Sequence, residues 1–360
     1  MRSLATGDHP GIEVIVVDDG STDGTAEIVE ALGLPNVKVI RKPNGGKASA
    51  LNAGLSSARH EIVVMVDGDT IFEPGTVRRL VQPFADPSVG AVAGNVKVGN
   101  RHSLVARWQH IEYVIGFNLD RRLYETLRCM PTVPGAIGAF RRRALVSAAG
   151  MRGSRPATDP ARDGGQAADG GAPRVMSDDT LAEDTDITMS MLRAGWRVVY
   201  EEGARAWTEA PETLAELWKQ RYRWSYGTMQ AMWKHRHALV EKGPLGRFGL
   251  PFLALFSVAL PLLAPVIDLL ALYGLLFLGW TETVIAWTGM LALQAGTAAI
   301  AFRLDRESHR PLWVLPLQQF AYRQLMYLVL IQSVVTALTG ARLRWQKMHR
   351  TGQAEVASRA

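Results

Sequence analysis

The chain has 360 residues but only one cysteine, Cys129, which excludes an intramolecular disulfide framework and a cysteine-based zinc site. Residues 1–12 contain no apolar core, so no signal peptide is expected there. The chain also lacks the G-x-x-x-x-G-K-[ST] spacing of a phosphate-binding loop, which argues against ATP hydrolysis of that type. Its net charge is only +6, and positive loops beside membrane spans account for that excess without any nucleic-acid partner. The 48% hydrophobic content hides a split. Residues 248–341 are mostly apolar, whereas 1–247 have the composition of a soluble protein. That division excludes disorder, collagen and a plain cytosolic globule.

Within the first part, Glu13–Val17 (EVIVV) is a continuous β-branched run, suited to a strand buried on both faces. A turn (DDGSTDGT) leads to a helical stretch from Thr25 to Leu32, and Val37–Ile40 is a second short strand. Lys47–Ala58 reads as a helix and Glu61–Val66 as a third strand ending in DGD, followed by a helix-to-strand passage over Phe84–Ala93. Strands alternating with helices through short loops predict a doubly wound α/β domain over residues 1–210, with ligands at the carboxyl ends of strands. Asp18, Asp19, Asp67 and Asp69 stand at such ends. The stretch 152–174, rich in Gly, Ala and Pro and without a large apolar residue, predicts a disordered surface insertion.

Residues 211–247 predict an amphipathic helix, with Leu217, Trp218, Tyr222, Tyr226, Met229 and Trp233 on one side. Its tryptophans suit a membrane interface, although a helix docked on its own domain has the same pattern. Phe248–Gly279 holds one charge, Asp268, and prolines at 251, 261 and 265. Its length predicts a Pro-broken interfacial or re-entrant start followed by one span. Thr283–Phe302 is uncharged and reads as a clean span; Gln324–Ala341 reads as a third, with Pro311–Tyr322 as a further interfacial piece. A basic tail occupies 342–360. Arg303, Arg306 and Arg310 fit a cytoplasmic loop, but the tail then falls outside, against the positive-inside tendency.

Several short motifs carry candidate chemistry, each with a plainer alternative. Asp67-Gly68-Asp69 offers two carboxylates to a divalent cation and a diphosphate, or simply an Asx-type turn. Asp19 can accept from a base or ribose, while its turn explains the nearby glycines without a ligand. Lys47 follows two glycines at a helix start, where a phosphate would be favoured; a lone exposed lysine is the other reading. Glu183, Asp184 and Asp186 in LAEDTD supply a general-base candidate or a helix start rich in acids. Gln220, Arg223 and Trp224 share one helix face, where arginine suits a diphosphate and Trp a sugar, a base or a lipid interface.

Taken in order, DDGS, D-G-D, E-D and Q-x-x-R-W ahead of apolar helices resemble the processive glycosyltransferase family 2 membrane synthases. GGKASALNAG, MVDGDT, TVPGAIGAFRR, LAEDTDIT and QRYRWSYGTMQ are most similar to the bacterial poly-β-1,6-N-acetylglucosamine synthase branch. The resemblance implies a GT-A-like nucleotide-sugar domain in the cytoplasm, attached to a helical membrane region of about three spans. It implies that Asp19, Lys47, Asp67 and Asp69 bind a UDP-sugar, with Mg2+ or Mn2+ at Asp69. Asp184 would be the catalytic base, and Gln220, Arg223 and Trp224 would meet the acceptor and diphosphate, bordered by Pro134–Gly138. The implied reaction is inverting transfer to a growing polysaccharide, with accessory synthase or export subunits as conceivable partners. It further implies an earlier strand, a P-x-Y-N-E segment and preceding membrane helices, so a misplaced start codon or truncated gene is expected, with activity in question. A non-processive transferase to a lipid acceptor, an inactive remnant and a non-enzymatic membrane protein are the competing readings. A transporter would need more polar residues than Asp268, Gln294, Arg323 and Gln332 across its spans.

Overall fold

The computed structural model describes residues 2–5, 7, 9–153, 175–177 and 179–340. Residues 154–174 of the expected insertion and the basic tail lie outside the described residues. Strand β1 (Val14–Asp19) runs parallel to β2 (Val37–Lys42) across helix α1 (Thr25–Ala31), with Asp19 opposite Lys42. Gly24 caps α1 at φ 77, a left-handed conformation that glycine adopts without a Cβ penalty. Helix α2 (Lys47–Ser57) then leads to β3 (Ile62–Met65).

The second sheet takes in β3, β4 (Ile71–Phe72), β5 (Val89–Val98), β6 (Gly138–Arg141) and β7 (Arg197–Thr208), in the order β3-β6-β5-β7-β4. It is mixed: β5 and β7 are parallel, and the other pairs are antiparallel. Helices α3 (Thr76–Val81), α4 (Leu104–Val114), α5 (Asp120–Thr126), α6 (Arg142–Gly153) and α7 (Glu183–Arg193) complete the domain. β5 and β6 are buried along their whole length and lie side by side inside the sheet, between β3 and β7. The first strand, expected to be buried on both faces, keeps only Val14 buried, and the third keeps only Met65 buried. Each has a single strand neighbour among the described residues, so an edge and part of each face stay open.

Helix α8 (Leu214–Lys234) begins at Thr213, whose hydroxyl accepts from the Glu216 amide at 3.3 Å. Next come α9 (Leu245–Leu278), α10 (Trp280–Leu304), α11 (Arg310–Phe320) and α12 (Tyr322–Thr339). Of these, α9 and α10 are long and apolar enough to cross a membrane; α11 and α12 make a third candidate only as one span bent by 53°. The expected Pro-broken start is instead one continuous helix. Wider π-helical turns at Leu245–Gly249 and Ala254–Ala259 precede Pro251 and Pro261, absorbing the missing N–H and the ring clash. Arg323 donates to Asp268, and Gln324 Nε2 donates to the same carboxylate at 3.3 Å, so the acid between apolar helices is paired. Much of the aromatic stripe of α8 is covered by α12. Trp218 Nε1 donates to Gln332 at 2.8 Å, and Tyr222 Oη donates to Thr336 at 2.8 Å.

Candidate active site

The β1–β2 register places Lys42 Nζ 2.5 Å from Asp19. The same carboxylate accepts from the amides of Gly45 (2.9 Å) and Gly46 (2.8 Å). Desolvation works against its charge, but Lys42 and the two amides outweigh it and hold the carboxyl below its ordinary value. Asp19 therefore fastens the Gly45–Gly46 turn and so fixes the start of α2. Gly46, the N-cap of α2, has φ 83, which only glycine accepts cheaply.

Lys47, the first residue of α2, points into a carboxylate cluster. Its Nζ lies 2.9 Å from Asp67 and 2.9 Å from Glu183. Burial opposes its charge, yet Asp67, Glu183 and Asp184 together raise its pKa. Gly135 closes the cluster: a Cβ there would stand 2.6 Å from Lys47 Nζ and 3.5 Å from Asp67. The Gly135 amide approaches Asp184 at 3.4 Å, and the Val133 amide donates to Thr188 at 3.0 Å, tying this segment to α7. Asp184 is in the first turn of α7, where its side chain accepts from the Thr185 amide at 2.8 Å. Burial, reinforced by the neighbouring Glu183 charge, pushes its carboxyl up to about 6 against the pull of Lys47. It is thus ionised at neutral pH but far more basic than an ordinary carboxylate.

The third acid of the motif has a different place. Asp186 is fully buried, 3.0 Å from Lys234 Nζ and 2.9 Å from His235 Nε2 at the end of α8. It anchors α7 to α8 and has no route to a substrate. Gln230 completes the joint by accepting from the Leu181 amide at 3.1 Å. Contact is closest at Gly227, where a Cβ would come within 2.8 Å of the Ala182 nitrogen. The nearest atoms, the Ala182 nitrogen, the Ala182 Cβ and the Leu181 carbonyl carbon, are fixed by the backbone and cannot swing aside. Gly227→Ala is therefore expected to push α8 off the Leu181–Ala182 segment and cost about 1–3 kcal/mol, the usual scale of overpacking. A thermal melt checks this, and an unchanged Tm would show that the joint is looser than drawn.

On α8, Gln220 is buried with Oε1 lacking a hydrogen-bond partner among the described residues, Arg223 is half-buried, and Trp224 stands in an aromatic group. Trp224 lies 6.4 Å from Tyr113 and 6.1 Å from Phe117 between ring centroids. Sequence reasoning missed Arg221, whose guanidinium sits 4.4 Å from the centre of the Trp224 ring. Arg221 is buried and pairs with Glu112 at 2.6 Å, and Tyr322, at the start of α12, donates to the same Glu112. The neighbouring Arg223 fits the Q-x-x-R-W pattern, so nothing in the spacing marked Arg221 as the buried cation. Burial raises the Tyr113 phenol to about 12; among the charges acting on it are Arg221, Glu112 and Asp69. Tyr113 is thus the neutral element between the DGD turn and the Trp224 ring.

Asp67 and Asp69 fit a divalent cation of the magnesium type. Such ions take one or two carboxylates and complete their shell with phosphates and water, not with an all-protein cage. Among the described residues no group of three or more His, Cys, Asp or Glu side chains is arranged to hold a metal alone. A Cβ on Gly68 would meet nothing within 4 Å, so the turn between the acids is open to a ligand.

Residues 1–227 match the family described as glycosyltransferase like family 2. The poly-β-1,6-N-acetyl-D-glucosamine synthase of Staphylococcus aureus (strain COL) is 30% identical over 218 residues, 60% of this chain and 47% of the relative. The synthase of the same name from Staphylococcus epidermidis is 27% identical over 261 residues, 72% of this chain and 57% of the relative. The chain thus spans about half the length of the curated relatives it matches. Among solved structures, the mannosyltransferase PcManGT of Pyrobaculum calidifontis, in complex with GDP-Man and Mn2+, superposes with a TM-score of 0.61. That likeness covers 93% of this chain and 81% of that one at 22% identity, and it speaks for a shared GT-A-like fold. With the family match extending from β1 to the Q-x-x-R-W helix, the chain belongs to glycosyltransferase like family 2.

Proposed function

We propose that the chain transfers a sugar, of the N-acetylglucosamine type, from a UDP-sugar to a hydroxyl of a growing β-linked polysaccharide. The reaction inverts the anomeric carbon and takes place on the cytoplasmic side of a membrane that α9, α10 and the α11–α12 pair cross. The observation that carries this reading is Asp184, a half-buried carboxyl raised to about 6 beside the Lys47–Asp67–Glu183 cluster. The names of the staphylococcal relatives support the polymer and the sugar.

Lys47 and the Gly45–Gly46 turn held by Asp19 meet the donor phosphates, with Lys47 balancing their charge. A divalent ion held by Asp67 and Asp69 would supply Lewis-acid stabilisation of the departing diphosphate. Trp224 offers its ring to the terminal acceptor sugar, with Arg221 beneath fixing its tilt. Gln220 and Arg223 line the passage between acceptor and diphosphate. Asp184 takes the proton from the acceptor hydroxyl while that oxygen bonds to C1 and the C1–O bond to UDP breaks. Gly135 keeps the Asp184 carboxylate facing the cluster.

Incorporation of radiolabel from UDP-N-acetylglucosamine, UDP-glucose and UDP-glucuronate into polymer by membranes containing the chain tests the proposal. Polymer from the first donor is expected, with loss in EDTA and in Asp69→Ala protein that still reaches the membrane. Full synthesis in EDTA would remove the metal from the mechanism. Polymer from another donor alone would reassign the sugar.

A further inference from the structure

A polar cleft of about 280 Å3 opens between the catalytic domain and the turn that follows α10, and it shares no residue with the carboxylate cluster. Four arginines line it: Arg79 of α3, Arg122 of α5, Arg205 of β7 and Arg306 of the turn. Its domain wall is a bulge. The β5–β7 register slips between Gly94 and Asn95, so that Glu201 faces Gly94 and Arg205 faces Asn95, leaving three residues outside the ladder. Gly203, in that bulge, leaves room for Arg79: a Cβ there would lie 2.2 Å from Arg79 Nη1. The opposite wall turns at Arg306, a non-glycine residue with φ 57.

The pairing inside the cleft is unbalanced. Every lining carboxylate already has a donor. Glu73 accepts from Trp207 Nε1 at 2.9 Å, and Glu201 accepts from the Gly203 amide at 3.0 Å. Glu202 pairs with Arg122, and Asp305 pairs with Lys97 and accepts from Asn95 at 2.8 Å. Of the arginines, the Arg205 side chain donates, among the described residues, only to the Asp305 carbonyl oxygen, at 3.1 Å. Arg79 and Arg306 have no carboxylate partner among the described residues. The cleft also has a definite depth. Arg306 follows Leu304, the last residue of the 25-residue apolar helix α10, by two positions. It therefore stands where a spanning helix meets the phosphate layer of a bilayer.

We propose that this cleft binds a phosphate group, clasped by Arg79, Arg205 and Arg306. Planar guanidinium forks match phosphate oxygens two at a time, and three of them converge here with donors to spare. An anionic lipid headgroup and a phosphorylated solute present the same chemistry.

The test uses the full chain in dodecyl maltoside and follows its unfolding temperature during titration with three probes. These are inorganic phosphate, soluble dihexanoyl phosphatidylglycerol and, as the phosphate-free control, dihexanoylglycerol. Saturable stabilisation by a phosphate-bearing probe is expected. R79Q/R306Q should weaken its apparent affinity by about tenfold or more, the scale of one lost charge-assisted hydrogen bond. G203A should weaken it too, by displacing Arg79 without removing a charge. Any phosphate held at the donor site contributes equally to all variants and cancels. Stronger stabilisation by phosphatidylglycerol than by inorganic phosphate assigns the site to lipid headgroups; equal stabilisation assigns it to free phosphate. Should R79Q/R306Q fail to fold, R79K/R306K keeps the charge without the fork and must still lose affinity. No saturable shift, an equal response to dihexanoylglycerol, or the same affinity in every variant would overturn the proposal.

Discussion

Replacing Asp184 by Asn is expected to lower polymer synthesis by at least ~10²-fold, the usual scale for removing a general base. The amide keeps the side chain's size and can still accept from the Thr185 amide, so α7 should stay in place. Donor affinity should change little, because Asp19, Lys47, Asp67 and Asp69 are untouched. A fixed Kd for UDP with a collapsed rate is therefore the expected pattern. The wild-type pH profile is a second check. A base must be ionised, and this carboxyl is raised to about 6 by burial and by Glu183. The rate should thus be level above pH 6 and fall as pH drops through 6, well above the range in which an exposed aspartate would titrate. Asp184→Asn should abolish that limb. Near wild-type synthesis in the variant would move the role to Glu183, since Asp186 is sealed between Lys234 and His235.

Lys97→Met should destabilise the protein by about 3–5 kcal/mol, the scale of breaking a buried ion pair from one side. Lys97 is 1% exposed on β5 and meets two acids from the turn after α10: Asp305, and Glu307 at 3.1 Å. Arg101 reaches Glu307 at 3.2 Å. His110 lies 3.8 Å from Glu307, but burial pushes its ring down to about 3, so it is neutral and adds no ion pair. Burial works against the Glu307 charge as well, yet Lys97 and Arg101 outweigh it and hold the carboxyl down at about 2. A depressed carboxyl stabilises the fold above its ordinary pKa of 4.5 and loses that contribution as pH falls towards 2. Thermal melts in detergent should show a lower Tm for Lys97→Met and an acid-side decline whose size the variant reduces. An unchanged Tm would show that the domain holds the membrane-side turn by other contacts.

How much was legible in advance follows from what each signal encodes. The strand at Val14–Asp19, the helix starting at Lys47 and helix α8 were readable, because β-branched runs, turn glycines and the helical period of apolar residues act over a few residues. The D-G-D turn and LAEDTD were readable as chemistry for the same reason, since the acids are neighbours in the chain. A hydrophobic stripe, however, names a face and not its partner. The stripe of α8 suited a membrane interface, and only packing showed α12 lying along it. The prolines of α9 predicted a break that π-helical turns absorb. Charged residues were the least legible. Arg221 and Lys97 carried no local signal and Asp186 stood among the base candidates, yet each is buried against partners far away in the chain: Glu112, Asp305 and His235. Gly227 carried no local sign that a helix would come within van der Waals contact of Ala182. The sequence by itself determined the elements, the motifs and the split between a soluble-type and an apolar half. Only the tertiary structure decided the mixed strand order, which acid faces the cluster and which arginine lies beneath Trp224. Those outcomes depend on desolvation and close packing between segments that meet only after the chain has folded.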